Sequence, residues 1–204
     1  MAEVPRRGTP FLDRLRSGDL TLMLAIRSNR TADVVRIAHQ TGHHAIMIDL
    51  EHSTMPLDVA AQLCATAGDL GMTPFVRVPE REYGAIGRLL DGGAQGIIAP
   101  RIETAGQART VSRACRFAPR GQRSQVATVP RLGMRPTPAP TLNPVLDDMT
   151  IVQILIETPA DVADAIAQLD GVDMLAIGAN DLRAELTGAD HRWRPGSGRP
   201  GQPR

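Results

Sequence analysis

Ala45-Ile46-Met47-Ile48-Asp49-Leu50-Glu51-His52 decides how this chain folds. Four apolar residues follow one another without a polar break, and then the sequence turns abruptly to acids and an imidazole. A strand with one wet face alternates apolar and polar side chains. A continuous apolar run this short instead marks a strand buried on both faces, as in a parallel sheet covered by helices. The same form recurs at residues 20–26, 73–76, 96–99, 151–156 and 174–177.

Helical patterns fill the intervals. Pro56 suits the first position of a helix in which Leu57, Ala60, Ala61, Cys64 and Ala67 form one apolar stripe, ending at Gly71. Thr158-Pro159 opens another, with Val162, Ala163, Ile166 and Leu169 facing inward. Residues 34–38, 86–90 and 108–115 behave likewise. Strands alternating with helices over short connections mean βα units and a parallel sheet, either closed into a barrel or doubly wound. The rhythm breaks between 118 and 148, where prolines at 119, 130, 136, 138, 140 and 144 predict a long loop without a regular helix, holding at most a short strand at 124–129. From Gly188 to Arg204 the sequence lacks periodicity and is expected to be a disordered tail, leaving one domain over residues 1–187.

Composition narrows the chemistry. All 23 basic residues are arginine. A Schiff-base aldolase or a pyridoxal-phosphate enzyme needs a lysine amine, so this chain supplies neither mechanism. A net charge of +1 gives no electrostatic reason to expect nucleic acid or an anionic membrane as partner. No apolar run approaches the roughly 18 residues of a membrane span, and the start of the chain does not read as a secretory signal, so a cytoplasmic location is the expectation. Cys64 and Cys115 lack metal-ligand spacing and are expected to be buried structural thiols.

Polar residues gather just past the strands: Asp49, Glu51 and His52; Arg77; Arg101; Glu157; and Asp181. In a parallel barrel these ends share one face, where catalytic groups collect. Each residue also has a plainer reading. An arginine there can be a surface ion pair, and a carboxylate can cap the next helix, as Asn180-Asp181 could. Glu157 is followed by Thr158-Pro159, which already supplies a cap, so its carboxylate is left for another task. Two carboxylates from neighbouring strand ends can hold a hard divalent cation with positions open to substrate, whereas no Cys or second His stands at the spacing a zinc site needs.

At these residues the sequence resembles the HpcH/HpaI family of class II 2-oxo-acid aldolases, typified by 4-hydroxy-2-oxoheptanedioate aldolase and 2-dehydro-3-deoxyglucarate aldolase. The matching words, in the family's order, are Ile48-Asp49-Leu50-Glu51-His52-Ser53, Pro74-Phe75-Val76-Arg77-Val78-Pro79, Leu90-Asp91-Gly92-Gly93-Ala94-Gln95-Gly96-Ile97-Ile98-Ala99-Pro100, Pro119-Arg120-Gly121-Gln122-Arg123-Ser124, Ile156-Glu157-Thr158 and Ile177-Gly178-Ala179-Asn180-Asp181-Leu182. They span roughly residues 15–187.

The resemblance implies an α/β fold: a (β/α)8 TIM-type barrel of the phosphoenolpyruvate/pyruvate kind, here lacking its last one or two strand–helix units. It implies reversible cleavage of a 4-hydroxy-2-oxo acid to pyruvate and an aldehyde, in a homo-oligomer, typically a hexamer. Glu157 and Asp181 would be the ligands of Mg²⁺ or Mn²⁺, with Co²⁺ an alternative. Arg77 would bind the pyruvate oxygens, helped by backbone amides near Asn180 and Asp181. His52 would be the general acid/base, with Asp49 and Asp91 as candidate carboxylates orienting it. One departure is Leu155, where the family usually carries a polar residue two before the metal glutamate; Gln153 lies on the same strand face, one step further away. The alternatives are a non-catalytic remnant of the family and a C–C lyase of the citrate-lyase or malyl-CoA-lyase kind.

Overall fold

The computed structural model describes residues 10–158 and 162–187. Pro159 and the expected tail at 188–204 lie outside them. Helix α1 (Pro10–Arg16) precedes an alternation of strands and helices: β1 (Met23–Ile26), α2 (Asp33–Gln40), β2 (Ala45–Asp49), α3 (Leu57–Asp69), β3 (Thr73–Arg77), α4 (Ile86–Asp91), β4 (Gly96–Ala99) and α5 (Ala105–Cys115). Then come α6 (Ala139–Met149), β5 (Ile151–Ile156), α7 (Ala163–Ala167), β6 (Met174–Ile177) and α8 (Ala179–Thr187). The six strands form one parallel sheet in sequence order, each bonded to the next.

Strand alternation divides the apolar side chains between two cores. One set, including Ile46, Ile48, Val76, Ile97, Val152 and Ile154, packs outward against Val35, Leu63, Ala67, Leu89, Val111 and Ile166 of the surrounding helices. The other set points inward: Met23, Ala45, Met47, Phe75, Ile98, Ile151, Leu155 and Met174 form one cluster with Phe11 and Leu12 of α1. Side chains from all six strands meet in one small cluster only if the sheet curls, which is the barrel alternative and not the doubly wound one. Both strand faces are apolar for this reason, and the sequence runs read as continuous. Leu155, polar in the expected pattern, is part of the inner cluster.

Helix α1 covers the end of the barrel at which the strands begin. Phe11 meets Phe75 edge to face with ring centroids 4.9 Å apart. Phe75 in turn lies over Gly96 so closely that a methyl group there would fall within its ring.

Several local expectations change. β1 begins at Met23 and not at Leu20, because Leu20 is 77% exposed and pairing starts only where the Leu22 carbonyl accepts from the His44 and Ala45 amides. Pro56 is extended and stands as the N-cap of α3, one step before the expected position. Residues 124–129 form no strand. The preceding amides of Gly121, Gln122 and Arg123 turn back to carbonyls of Phe117, Arg113 and Arg116, closing the end of α5, while β4 and β5 already pair directly.

The region expected to be without a regular helix contains α6. Pro140 falls in its first turn, where an amide hydrogen has no intrahelical partner to lose. Pro144 lies inside the helix. It and Pro140, four residues earlier, are both exposed, so the carbonyl deprived of its donor faces solvent. The opposite face buries Leu142, Leu146 and Met149, which hold the helix in place.

Cys64 and Cys115 are buried and unpaired, and burial pushes both thiols up to about 12. They are structural, as expected. No helix among the described residues is long and apolar enough to cross a membrane.

Candidate active site

In a parallel barrel every strand ends on the same side, so the residues just past β1 to β5 form a ring. The register makes the ring explicit: Ile26 is opposite Ile48, Asp49 opposite Arg77, and Arg77 opposite Ile98. By alternation from Met23, Met47 and Phe75 of the inner cluster, Arg27, Asp49 and Arg77 all project into the barrel mouth.

Asp49 is fully buried and carries the most hydrogen bonds of the group. Arg77 grips it with two parallel bonds, Nε to Oδ1 at 3.0 Å and Nη2 to Oδ2 at 2.6 Å. Arg27 Nε donates to the same Oδ2 at 2.9 Å, and the backbone amides of Glu51 and His52 donate to Oδ1 at 3.1 and 3.2 Å. Burial alone would raise the Asp49 carboxyl. The Arg77 and His52 hydrogen bonds and the two guanidinium charges more than reverse it, holding Asp49 below its usual 3.8.

A carboxyl depressed in the folded state adds stability that is fully present above its unfolded value. That contribution is lost as the pH falls through the folded one. Urea midpoints are therefore expected to fall on acidification below about pH 4. The slope should be shallower in Asp49→Asn, and equal slopes in the two proteins would remove Asp49 from the acid response.

Glu51 continues the network. Its Oε2 is 3.1 Å from Arg77 Nη1 but makes no aligned hydrogen bond. The His52 ring, with its side chain 54% exposed, reaches the same oxygen at 3.8 Å. Asp49 thus receives the His52 backbone amide, and the carboxylate nearest the imidazole is Glu51.

Glu157 is buried one residue past β5. Its Oε2 accepts the Arg101 amide at 2.8 Å, an amide aimed by a left-handed backbone at Arg101 (φ 50°). Gly178 makes room for it, since a Cβ there would stand 2.5 Å from Glu157 Cγ. Burial raises the Glu157 carboxyl; the Arg101 hydrogen bond lowers it, and the Glu51 and Asp181 charges push it up again. Glu51, Glu157 and Asp181 are consequently one electrostatic group. Among the described residues no three His, Cys, Asp or Glu side chains are arranged as a complete metal cage. Asn180 and Asp181 occupy the first turn of α8, where backbone amides lack helical acceptors.

Asp91 is not brought to this cluster within the chain. α4 runs antiparallel to the strands, so its last residue returns to the end where strands begin. There Asp91 accepts from Arg123 Nη2 at 2.7 Å, while the Arg123 guanidinium lies 4.6 Å from the Phe117 ring centre. Arg27, the Arg101 amide and Gly178 carry no role in the sequence reading. Arg27 had a signal, since it follows its strand just as Arg101 follows β4. The Arg101 and Gly178 contributions come from backbone and from space, which leave no side-chain pattern to read.

The profile of the HpcH/HpaI aldolase/citrate lyase family matches residues 22–194. A 4-hydroxy-4-methyl-2-oxoglutarate aldolase of Hapsidospora irregularis is 41% identical over 174 residues, covering 83% of this chain and 64% of its own. A 2-keto-3-deoxy-L-rhamnonate aldolase of Shigella boydii is 34% identical over 188 residues, covering 91% and 70%. The solved HpcH/HpaI aldolase of Desulfitobacterium hafniense superposes with a TM-score of 0.78 at 25% identity, covering 86% of this chain and 68% of that one. The chain spans under two thirds of the length of the first of these relatives.

Proposed function

From the premise that this chain belongs to the HpcH/HpaI aldolase/citrate lyase family, we propose that it is an aldolase cleaving a 4-hydroxy-2-oxo acid reversibly to pyruvate and an aldehyde. The observation that carries this reading is the Arg77 guanidinium, clamped by Asp49 and Glu51 beside the buried Glu157 carboxylate. The relatives support it, being named as aldolases of 2-oxo acids.

The donor set fits a hard divalent cation such as Mg²⁺ or Mn²⁺. Glu157 is a buried carboxylate raised by burial and by its acidic neighbours, the situation that a bound cation relieves. Glu157 and Asp181 would hold the ion, all their ligand atoms being oxygen. When bound, such an ion supplies Lewis-acid stabilisation of the charge that develops on the 2-oxo group.

The chain's own groups do the rest. Arg77 keeps N–H groups on Nη1 and Nη2 beyond those committed to Asp49, and these bind the oxygens of the 2-oxo acid. Its fork is fixed before substrate arrives, so little orientation is lost on binding. The Asn180 and Asp181 amides in the first turn of α8 favour an anionic carboxylate. His52, half-exposed at the mouth, takes the proton of the 4-hydroxyl as the C3–C4 bond breaks and the aldehyde forms. The electron pair of that bond passes into the pyruvate enolate, which regains a proton at C3. Self-association belongs to the same proposal, since Leu20 and Ile37 stand exposed and apolar.

Release of pyruvate from 4-hydroxy-2-oxo acids, read by coupled NADH oxidation, tests the proposal. Cleavage should be lost with EDTA, return with Mn²⁺, and fall by about 10³-fold or more in Glu157→Gln. Activity that survives both EDTA and Glu157→Gln would remove the metal from the proposal. Absence of pyruvate from every such acid, with metal present, would overturn it.

A further inference from the structure

Arg27 and Arg77 donate to the same oxygen of Asp49, yet their surroundings differ. The Arg77 side chain is 12% exposed and is held by Asp49 through both Nε and Nη2, with Glu51 beside Nη1. The Arg27 side chain is 59% exposed and engages Asp49 through Nε alone. Its two Nη groups bond to no other described residue. A guanidinium held at Nε turns its Nη pair away from the holder, and that pair has the spacing to take a carboxylate by two parallel bonds.

The neighbouring arginines of the rim lack this property. Arg30 Nη2 is tied to the Thr54 carbonyl and hydroxyl, and Arg101 Nε stands 3.6 Å from the exposed Glu80 carboxylate, beyond hydrogen-bond distance, so no buried anchor aims it. Arg27 is therefore a pre-aimed, half-solvated cation on the inner face of the barrel mouth, one strand from Asp49 and two from Arg77.

We infer that Arg27 receives a second carboxylate on the substrate, so that the acid cleaved is a 4-hydroxy-2-oxo dicarboxylic acid and the aldehyde released carries its own carboxylate. This rests on the aldolase reading above. Arg77 would bind the 2-oxo end, and Arg27, sharing Asp49 with it, the far end. Asp49 then sets the separation of the two guanidinium groups, because both are fastened to it. Arg27 is a specificity-determining residue in this arrangement, since the carboxylate it binds takes no part in the bond that breaks.

The test uses two substrates of equal chain length, 4-hydroxy-2-oxoglutarate and 4-hydroxy-2-oxopentanoate, which differ by a terminal carboxylate against a methyl. kcat/KM for each is measured on the full chain, on Arg27→Gln and on Arg27→Lys. The unchanged protein should prefer the dicarboxylate. Arg27→Gln should lower the ratio of the two values by about 10- to 100-fold, chiefly through KM for the dicarboxylate, and Arg27→Lys should fall between. An equal loss on both substrates would mean that Arg27 acts only by holding Asp49, and would overturn the inference while leaving the aldolase reading intact. No preference in the unchanged protein would overturn it too. Failure to cleave either substrate would overturn the aldolase reading, and this inference with it.

Discussion

Arg77→Ala is expected to reduce aldol cleavage to background and to destabilise the fold by about 2–4 kcal/mol. The two losses have separate physical origins. For stability, Asp49 is fully buried and Arg77 supplies two of its five hydrogen bonds. Removing one partner of a buried pair typically costs about 3–5 kcal/mol, because the other charge stays desolvated. Arg27 and two backbone amides remain on Asp49, which places the expectation toward the lower end. For activity, the substrate loses its fixed donor fork, and Glu51 loses its cationic neighbour beside Glu157.

Arg77→Lys should recover little of either, since one ammonium cannot reproduce the paired bonds to Asp49 and still reach Glu51. The double variant Arg77→Met with Asp49→Leu should recover stability without activity, because a well-packed apolar pair can replace a buried ionic one. Urea denaturation beside pyruvate release separates these outcomes. A loss under about 1 kcal/mol in Arg77→Ala would show that Arg27 and the backbone suffice for Asp49.

Gly96→Ala, at the other end of the barrel, is expected to destabilise by about 3 kcal/mol without touching the chemistry directly. The added methyl would occupy the space of the Phe75 ring. Phe75 cannot step aside freely: it is fully buried, and Phe11 of α1 packs edge-on against it. Either β4 moves away from β3 or the aromatic pair separates, and each forfeits close packing. Gly96→Val, with two more methyls, should prevent accumulation of folded protein. Phe75→Leu should partly rescue Gly96→Ala, since a smaller side chain leaves room for the methyl. Unfolding midpoints for the single and double variants give the coupling energy. Additive losses would mean that the two residues do not share the space that the geometry assigns them.

The contrast between these two positions explains how much was legible beforehand. Strands buried on both faces have runs such as Ala45-Ile46-Met47-Ile48, and parallel strands need helical crossovers, so element order and class could be read from local pattern. The turn from apolar to polar at the end of each strand marked Asp49, His52, Arg77, Glu157 and Asp181. Proline content misled at 139–149. Local propensity opposes a helix there, but burial of Leu142, Leu146 and Met149 outweighs it while Pro140 and Pro144 face solvent.

By itself, then, the sequence determined the repeating βα architecture, the absence of lysine chemistry and the ring of charged residues past the strands. These depend on residue type and on spacing along the chain, both of which are local. Only the tertiary structure decided which member of the ring meets which. Asp49 serves Arg77 and Arg27, Glu51 stands nearest His52, Glu157 rests on a backbone amide of Arg101, and Asp91 lies at the opposite end of its helix from β3's functional terminus. Apart from the adjacent Glu51 and His52, those pairings join residues 22 to 56 positions apart. They follow from strand register and from the curl of the sheet, and no stretch of sequence contains either one.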